Sequence, residues 1–248
     1  MTSRLVADAY ETPLPLAVAI VRMLIESGLW SRSSACPRIL EPSVGIGRFV
    51  EAILYGGQAP YYSIDCCDVR NVPSEFVRDA KDVYFYELPF EEFAAGERTK
   101  DGYDLIIGNP PYGGDAERRK QPGTLAEDHI RLALGLLKPQ GVLAFLLRIN
   151  FLAGIERGPA AHLVKTLEPG LWTMDELRYV YALDKRPGFL KGSGTDVTEY
   201  GVFIFHHPDP SRPQEPILRF LSWVELYRLM KPPKEEKDKP TRKRKKQS

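Results

Sequence analysis

The sequence predicts an α/β fold built on a doubly wound, mostly parallel sheet. Three observations carry that expectation. Short apolar segments alternate with segments of helical periodicity along most of the chain. "EPSVGIGRF" (41–49) sets two glycines directly after the first apolar segment, and "YDLIIGNPPYGG" (103–114) sets an amide, two prolines and a tyrosine directly after another. Alternation of this kind implies strand–helix–strand crossovers. Ligands of such sheets bind beyond the carboxyl ends of the strands, near the point where the strand order reverses, so the loops that follow strands are where chemistry belongs.

The elements follow in order. Residues 13–28, "PLPLAVAIVRMLIESG", read as a helix with Thr12 as N-cap, Pro13 at the tolerated first position and Gly28 at the end. "RILEP" (38–42) is a short buried strand, and 47–57 a helix stopped by paired glycines. Strands are expected over 61–69, 82–88 and 103–108. Residues 124–141 carry apolar side chains at helical spacing before a Pro-Gln-Gly stop, and "VLAFLLRI" (142–149) is a continuous apolar run, as in a strand buried on both faces. A helix over 158–168, strands over 176–183 and 200–207, and a short helix over 222–230 complete the pass. No internal repeat is visible.

A chain of 248 residues, 43% hydrophobic, is long enough for one sizeable core. Residues 1–230 are expected to form that domain. Residues 231–248 carry nine Lys/Arg against three Asp/Glu, a net +6, which leaves 25 basic and 30 acidic residues, or −5, on the other 230. This tail is rich in Lys and Pro, is expected to be disordered, and suits a polyanionic partner; it reads equally as a solubilising extension. No apolar run reaches the roughly 20 residues of a membrane span and no secretory signal pattern opens the chain, so a cytoplasmic protein without a membrane partner is expected. Cys36, Cys66 and Cys67 are odd in number and fit neither disulfide pairing nor metal spacing; they read as buried thiols in a reducing compartment. His129, His162, His206 and His207 show no ligand spacing, and no metal is expected.

In the first loop, Gly45 and Gly47 let the backbone turn tightly and approach a ligand while the next helix presents its amides. No Gly-Lys-Ser/Thr follows, which excludes a P-loop. The second strand ends in "IDCCDVR", where Asp68, nearer the carboxyl end than Asp65, is placed to accept hydrogen bonds from ribose hydroxyls. Glu87 follows the third strand and is placed to accept a proton from an exocyclic amine, with Leu88 or Phe90 beside it for a flat ring. Taken singly, each acid reads as well as a solvated carboxylate at a strand end. The three signals fall where one ligand would lie.

"NPPY" (109–112) then has a chemical reading. An aromatic amino group is a poor nucleophile because its lone pair is delocalised into the ring. Two acceptors that hold its N–H groups out of plane favour the tetrahedral, nucleophilic form. Asn109 offers a side-chain oxygen and Pro110 a backbone carbonyl, held beforehand because Pro110 and Pro111 fix φ near −65°. Tyr112 offers a face on which an extruded base can stack. With no nucleophilic dyad or metal cluster, the electrophile must come from a cofactor, and the sulfonium methyl of S-adenosylmethionine fits the glycine loop and the acids.

At these residues the sequence resembles the class I S-adenosylmethionine-dependent amino-methyltransferases, specifically the gamma order of DNA adenine-N6 enzymes. "LEPSVGIGRF" looks like their cofactor loop, "GNPPY" their catalytic tetrapeptide and "YETPLPLAVAIV" (10–21) their Thr-Pro segment. The resemblance implies a Rossmann-like, seven-stranded sheet with the last strand antiparallel. It implies that Glu41, Pro42, Gly45 and Gly47 hold the methionine part of the cofactor beside Thr12 and Pro13, that Asp68 holds its ribose, and that Glu87 and Leu88 hold its adenine. Asn109, which also borders the cofactor, Pro110, Pro111 and Tyr112 would receive the target base, flipped from double-stranded DNA. Phe189, in "RPGFLKGSGTDVTEYGVFIF" (186–205), would supply a second aromatic wall.

The gamma enzymes usually carry a large C-terminal recognition domain, whereas this chain follows its core with a short strand-rich end and the basic tail. Specificity is then expected to be low, to be supplied by the loops 113–124 and 185–199, or to be provided by a partner, with a specificity subunit or a homodimer as the expected assemblies. Arg118, Arg119 and Lys120 in the first loop and Lys185, Arg186 and Lys191 in the second are placed to grip phosphates. The rivals are methyltransferases that use the same tetrapeptide on RNA, cytosine N4 or a protein glutamine, and a non-catalytic nucleic-acid-binding subunit.

Overall fold

The computed structural model describes residues 11–30, 36–55, 62–70, 73–111, 125–153, 176–184, 199–207 and 217–230. Outside them lie Tyr112, Phe189, the six basic loop residues from Arg118 to Lys191, the helix expected over 158–168 and the tail.

The chain runs α1 (Leu14–Glu26), β1 (Arg38–Glu41), α2 (Arg48–Tyr55), β2 (Ser63–Asp68), α3 (Glu75–Arg78), β3 (Val83–Glu87), α4 (Phe90–Ala94), β4 (Tyr103–Gly108), α5 (Leu125–Leu136), β5 (Leu137–Arg148), β6 (Leu177–Leu183), β7 (Tyr200–His206), β8 (Ile217–Leu221) and α6 (Trp223–Met230). The strands form one sheet in the order β3-β2-β1-β4-β5-β7-β6-β8. Strands β3 to β5 pair in parallel. β7 is antiparallel to both neighbours, β5 and β6. This is the class I methyltransferase fold. The sheet has eight strands, where seven were expected. β8 was missed because "ILRFL" (217–221) stands near the end of the chain with no turn signal separating it from the last helix, and it adds parallel to β6 at the edge. Leu218 and Phe220 of β8 remain exposed, at 57% and 75%.

Alternate residues of the central strands serve two cores. Leu105, Ile107, Val142, Ala144, Leu146, Val202 and Ile204 face α1, α2 and α6. Tyr103, Ile106, Leu143, Phe145, Leu147, Phe203 and Phe205 face α4 and α5. Burial on both sides is why these strands read as unbroken apolar runs. Each fully buried Leu, Ile or Phe contributes about 1.5–3 kcal/mol by transfer from water. Among the described residues, no helix is long and apolar enough to cross a membrane.

Several local expectations are corrected. α5 ends at Leu136, and β5 begins at once with Leu137, so "KPQG" (138–141) belongs to the strand and not to a helix stop. The register with β4 shifts between Tyr103 and Leu105, which absorbs the extra residues as a bulge. α1 starts at Leu14 with Pro13 as N-cap and no side-chain cap, so Thr12 does not cap it. The Pro13 carbonyl accepts from Leu16 and Ala17 instead. Cys66 and Cys67 are buried in β2, but Cys36, on the connection into β1, is exposed.

Candidate active site

The strand order turns back between β1 and β4. The first three strands step outward to one side and β4 and β5 to the other. The carboxyl ends of β1, β2, β3 and β4 therefore converge, each followed by one of the marked loops. Register fixes their spacing: Glu41 pairs with Cys66, Asp68 with Glu87, and Leu40 with Ile106. The β1 and β4 loops abut. A Cβ on Gly108 would lie 3.6 Å from Pro42 Cδ and 3.9 Å from Glu41 Cγ.

The two glycines of the first loop serve different purposes. Among the described residues, Gly45 (φ +52°) has nothing within 4 Å of where a Cβ would stand, which leaves that face clear of them. Gly47 (φ +90°) turns inward, and a Cβ there would meet Val77 Cγ2 at 2.6 Å. The Val44 N–H donates to the Cys67 carbonyl (3.1 Å), and the Ser74 N–H to the Ile46 carbonyl (3.3 Å), which lays the loop across the end of β2.

Asp68 anchors this arrangement. It is buried at 7% exposure, and its Oδ2 accepts from the Gly45 N–H at 2.9 Å. Arg70 closes on it from the next loop. The Arg70 backbone N–H (3.0 Å) and Nε (3.1 Å) donate to Oδ1, and Nη2 (3.4 Å) to Oδ2. Val69 between them is an apolar residue exposed at 52%, and Leu88 stands half-buried on the β3 loop. Glu87 is exposed at the end of β3.

Asp65, three residues earlier, is spent on structure. It is fully buried and accepts from Arg98 Nε (2.6 Å), the Tyr103 hydroxyl (2.8 Å) and Arg38 Nη2 (3.3 Å). Arg98 in turn lies over the Tyr84 ring, 4.2 Å from its centroid.

Glu41 is also inside, at 2% exposure, with Oε2 accepting from the Val50 N–H at 3.1 Å. That bond satisfies one of the free amides in the first turn of α2. Burial pushes the Glu41 carboxyl well above the ordinary carboxylate range; the Val50 bond opposes this, while the charges of Asp68 and Glu51 add to it. Glu51 is held by Arg48 Nη1 (2.6 Å) and the Ser74 hydroxyl (3.1 Å). Three carboxyl groups thus surround the first loop, Glu51 and Asp68 each held by an arginine and Glu41 by a backbone amide.

At the β4 end, Asn109 is partly buried, Pro110 buried and Pro111 partly buried. Asn109 Nδ2 donates to Thr12 Oγ1 at 3.2 Å, across 97 residues of sequence. Thr12 is 6% exposed and Pro13 partly buried, so the segment before α1 lies against the amide that follows β4.

Sequence reading missed three participants. Arg70 gave no signal, because a cation next to an acid looks like ordinary surface charge. Ser43 and His129 form the other pair. His129 Nδ1 lies 2.9 Å from the Leu125 carbonyl, which can only accept, and His129 Nε2 lies 3.0 Å from Ser43 Oγ, whose hydroxyl is also placed to donate to the Pro42 carbonyl at 2.9 Å. Phe90 lies against the same imidazole, ring centroids 5.1 Å apart. The first loop is thereby tied to α5 through residues 86 apart, which no local pattern reveals.

No protein-family model matches the chain, and no curated protein matches it. Solved structures do. One is a protein from Listeria monocytogenes assigned to the class I S-adenosylmethionine-dependent methyltransferases (TM-score 0.59, 13% identity, 89% of this chain and 68% of that one). Another is the methyltransferase subunit of a type I restriction-modification system from Streptococcus thermophilus (0.55, 16%, 89% and 52%). A third is DrdV, in a complex with DNA (0.55, 12%, 92% and 29%). The chain therefore spans about half the length of the second and under a third of the third. At these identities the likeness concerns the fold.

Proposed function

We propose that this chain is an S-adenosylmethionine-dependent methyltransferase that modifies the N6 amino group of adenine in DNA, with the target base extruded from the duplex. One observation carries the reading: Asn109-Pro110-Pro111 stands at the strand-order reversal, against the β1 loop, with its amide held by Thr12.

The residues present fit the cofactor. Gly45 leaves a backbone face clear of the described residues, Asp68 is a buried carboxylate at the end of β2, and Val69 and Leu88 offer apolar surface to a flat ring on either side of the β2–β3 edge. S-adenosylmethionine, with a flat ring and a ribose diol, matches these features. Bound there, it supplies the electrophilic methyl group. Asp68 would hold the ribose hydroxyls, Glu87 the adenine amine, and Gly45 and Gly47 the backbone turn around the methionine end, near Glu41, Pro42, Thr12 and Pro13.

The rest is positioning. An amide's nitrogen and oxygen lie on opposite edges, so committing Asn109 Nδ2 to Thr12 turns Oδ1 away from Thr12, to accept from the target amine. The Pro110 carbonyl, in a buried residue that cannot donate, is the second acceptor. Together they draw the amine's lone pair out of conjugation and aim it for in-line attack, so the rate comes from orientation and fixed dipoles. Tyr112, Phe189 and the basic residues Arg118, Arg119, Lys120, Lys185, Arg186 and Lys191 are assigned to the base and its backbone by sequence. A DNA complex and a restriction-modification subunit among the similar folds support a DNA substrate.

The test is to incubate the protein with tritiated S-adenosylmethionine and DNA, RNA or a glutamine-containing peptide, then digest the DNA to nucleosides. Label in N6-methyl-2′-deoxyadenosine from DNA is expected. Label confined to RNA, to peptide or to N4-methylcytosine would overturn the adenine assignment.

A further inference from the structure

We infer that Thr12 is a positioning residue for Asn109, holding the plane of its amide at the amine. The inference rests on the reading of Asn109 as the amine acceptor and adds a determinant from the opposite end of the domain. Thr12 precedes a helix, where a hydroxyl usually caps the first turn. Here Pro13 is the N-cap instead, without a side-chain cap bond, and its extended backbone (ψ 134°) carries the chain into α1. The Thr12 hydroxyl accepts from Asn109 Nδ2 at 3.2 Å.

Both partners are well held. Thr12 is 6% exposed, and α1, which follows it, buries Leu16, Ala17, Ala19, Ile20, Val21, Met23 and Leu24 in the core. Asn109 follows the wholly buried Leu105, Ile106 and Ile107, and Pro110 allows its predecessor little freedom. The bond to Thr12 restrains rotation about the Asn109 Cβ–Cγ bond and so fixes the plane in which the amide meets the amine. A β-branched residue adds stiffness, since its χ1 has one or two preferred settings.

The discriminating variants are Thr12→Val, which keeps the shape and removes the hydroxyl, and Thr12→Ser, which keeps the hydroxyl. Three measurements separate the outcomes: kcat for methyl transfer to DNA, affinity for S-adenosylhomocysteine by calorimetry, and the 15N-resolved resonances of the Asn109 side-chain amide. Thr12→Val should lower kcat by about ten- to a hundredfold, lower S-adenosylhomocysteine affinity by far less than that, and move the Asn109 amide resonances. Thr12→Ser should restore all three. An affinity loss that parallels the kcat loss would make Thr12 a cofactor contact and overturn the inference. So would an unshifted Asn109 amide in Thr12→Val, which reads the contact even without turnover. Wild-type protein inactive on every substrate would instead count against the function proposed above.

Discussion

Arg70 and Asp68 form a closed fork at the carboxyl end of β2: three donors of Arg70 and the Gly45 N–H occupy the four lone-pair sites of one buried carboxylate. If Asp68 holds the ribose as proposed, the diol needs two of those sites and the guanidinium must withdraw. Its side chain is one-third exposed, so the ion pair is worth only about 0.2–1 kcal/mol. Arg70→Ala should therefore tighten S-adenosylhomocysteine binding by about two- to fivefold. Asp68→Asn, which loses charge and acceptors, should weaken it about tenfold or more. Calorimetric titration measures both, and equal affinity in Arg70→Ala would show the guanidinium lies out of the ligand's way.

The two loop glycines should separate stability from binding. Gly47→Ala meets both a left-handed φ and the Val77 methyl, and should cost about 2–4 kcal/mol, partly recovered in the double variant with Val77→Ala. Gly45→Ala meets only the backbone penalty, about 1 kcal/mol, but puts a methyl on the clear face, so its effect should appear mainly in cofactor affinity. Urea denaturation set beside calorimetry distinguishes them.

Asn109→Ala should abolish measurable transfer, a loss of about 10²–10³ in kcat or more. Cofactor affinity should stay within a few-fold, because the acids and glycines of the other loops remain. Single-turnover assays at saturating cofactor make the comparison.

His206, at the end of β7, should make the fold acid-sensitive. Burial lowers its pKa to about 4, with the Arg178 and His207 charges adding to the effect. The unfolded imidazole titrates near 6.5. Between these values the unfolded chain binds a proton that the folded chain does not, so stability is full above about pH 6.5 and falls as pH drops towards 4. The loss approaches about 3 kcal/mol at its limit. His206→Gln should flatten that part of the stability profile, which thermal melts in a pH series would show.

Removing residues 231–248, which carry a net +6, should weaken DNA binding and flatten the slope of log K against log salt by about 0.9 for each phosphate that the tail had neutralised. An unchanged slope in filter binding would leave the tail its solubilising role.

The readable parts of the molecule were those whose signal is local. The apolar runs of β4, β5 and β7 announced burial on both faces, and Gly45 and Gly47 announced a turn whose φ values, +52° and +90°, are costly for other residues. What stayed hidden was long-range or lacked local punctuation. β8 is a five-residue edge strand whose place depends on β6, nearly forty residues earlier. Thr12 carried a cap signature that Pro13 made redundant. Asp65 and Asp68 sit three apart in one strand, and only the packing of Arg38, Arg98 and Tyr103 shows that the first is structural.

By itself, then, the sequence determined the alternation of strands and helices and the chemical types at each strand end: an acid, a glycine turn, an amide fixed by prolines. Backbone propensity and burial act over a few residues, and a chain of this length writes them plainly. Tertiary structure alone decided which oxygen meets which donor. It brought Thr12 to Asn109, Arg70 and Gly45 together on Asp68, and Ser43 to His129. Hydrogen bonds reach only about 3 Å, so such pairings exist only once the order of the strands has turned back on itself and laid distant loops side by side.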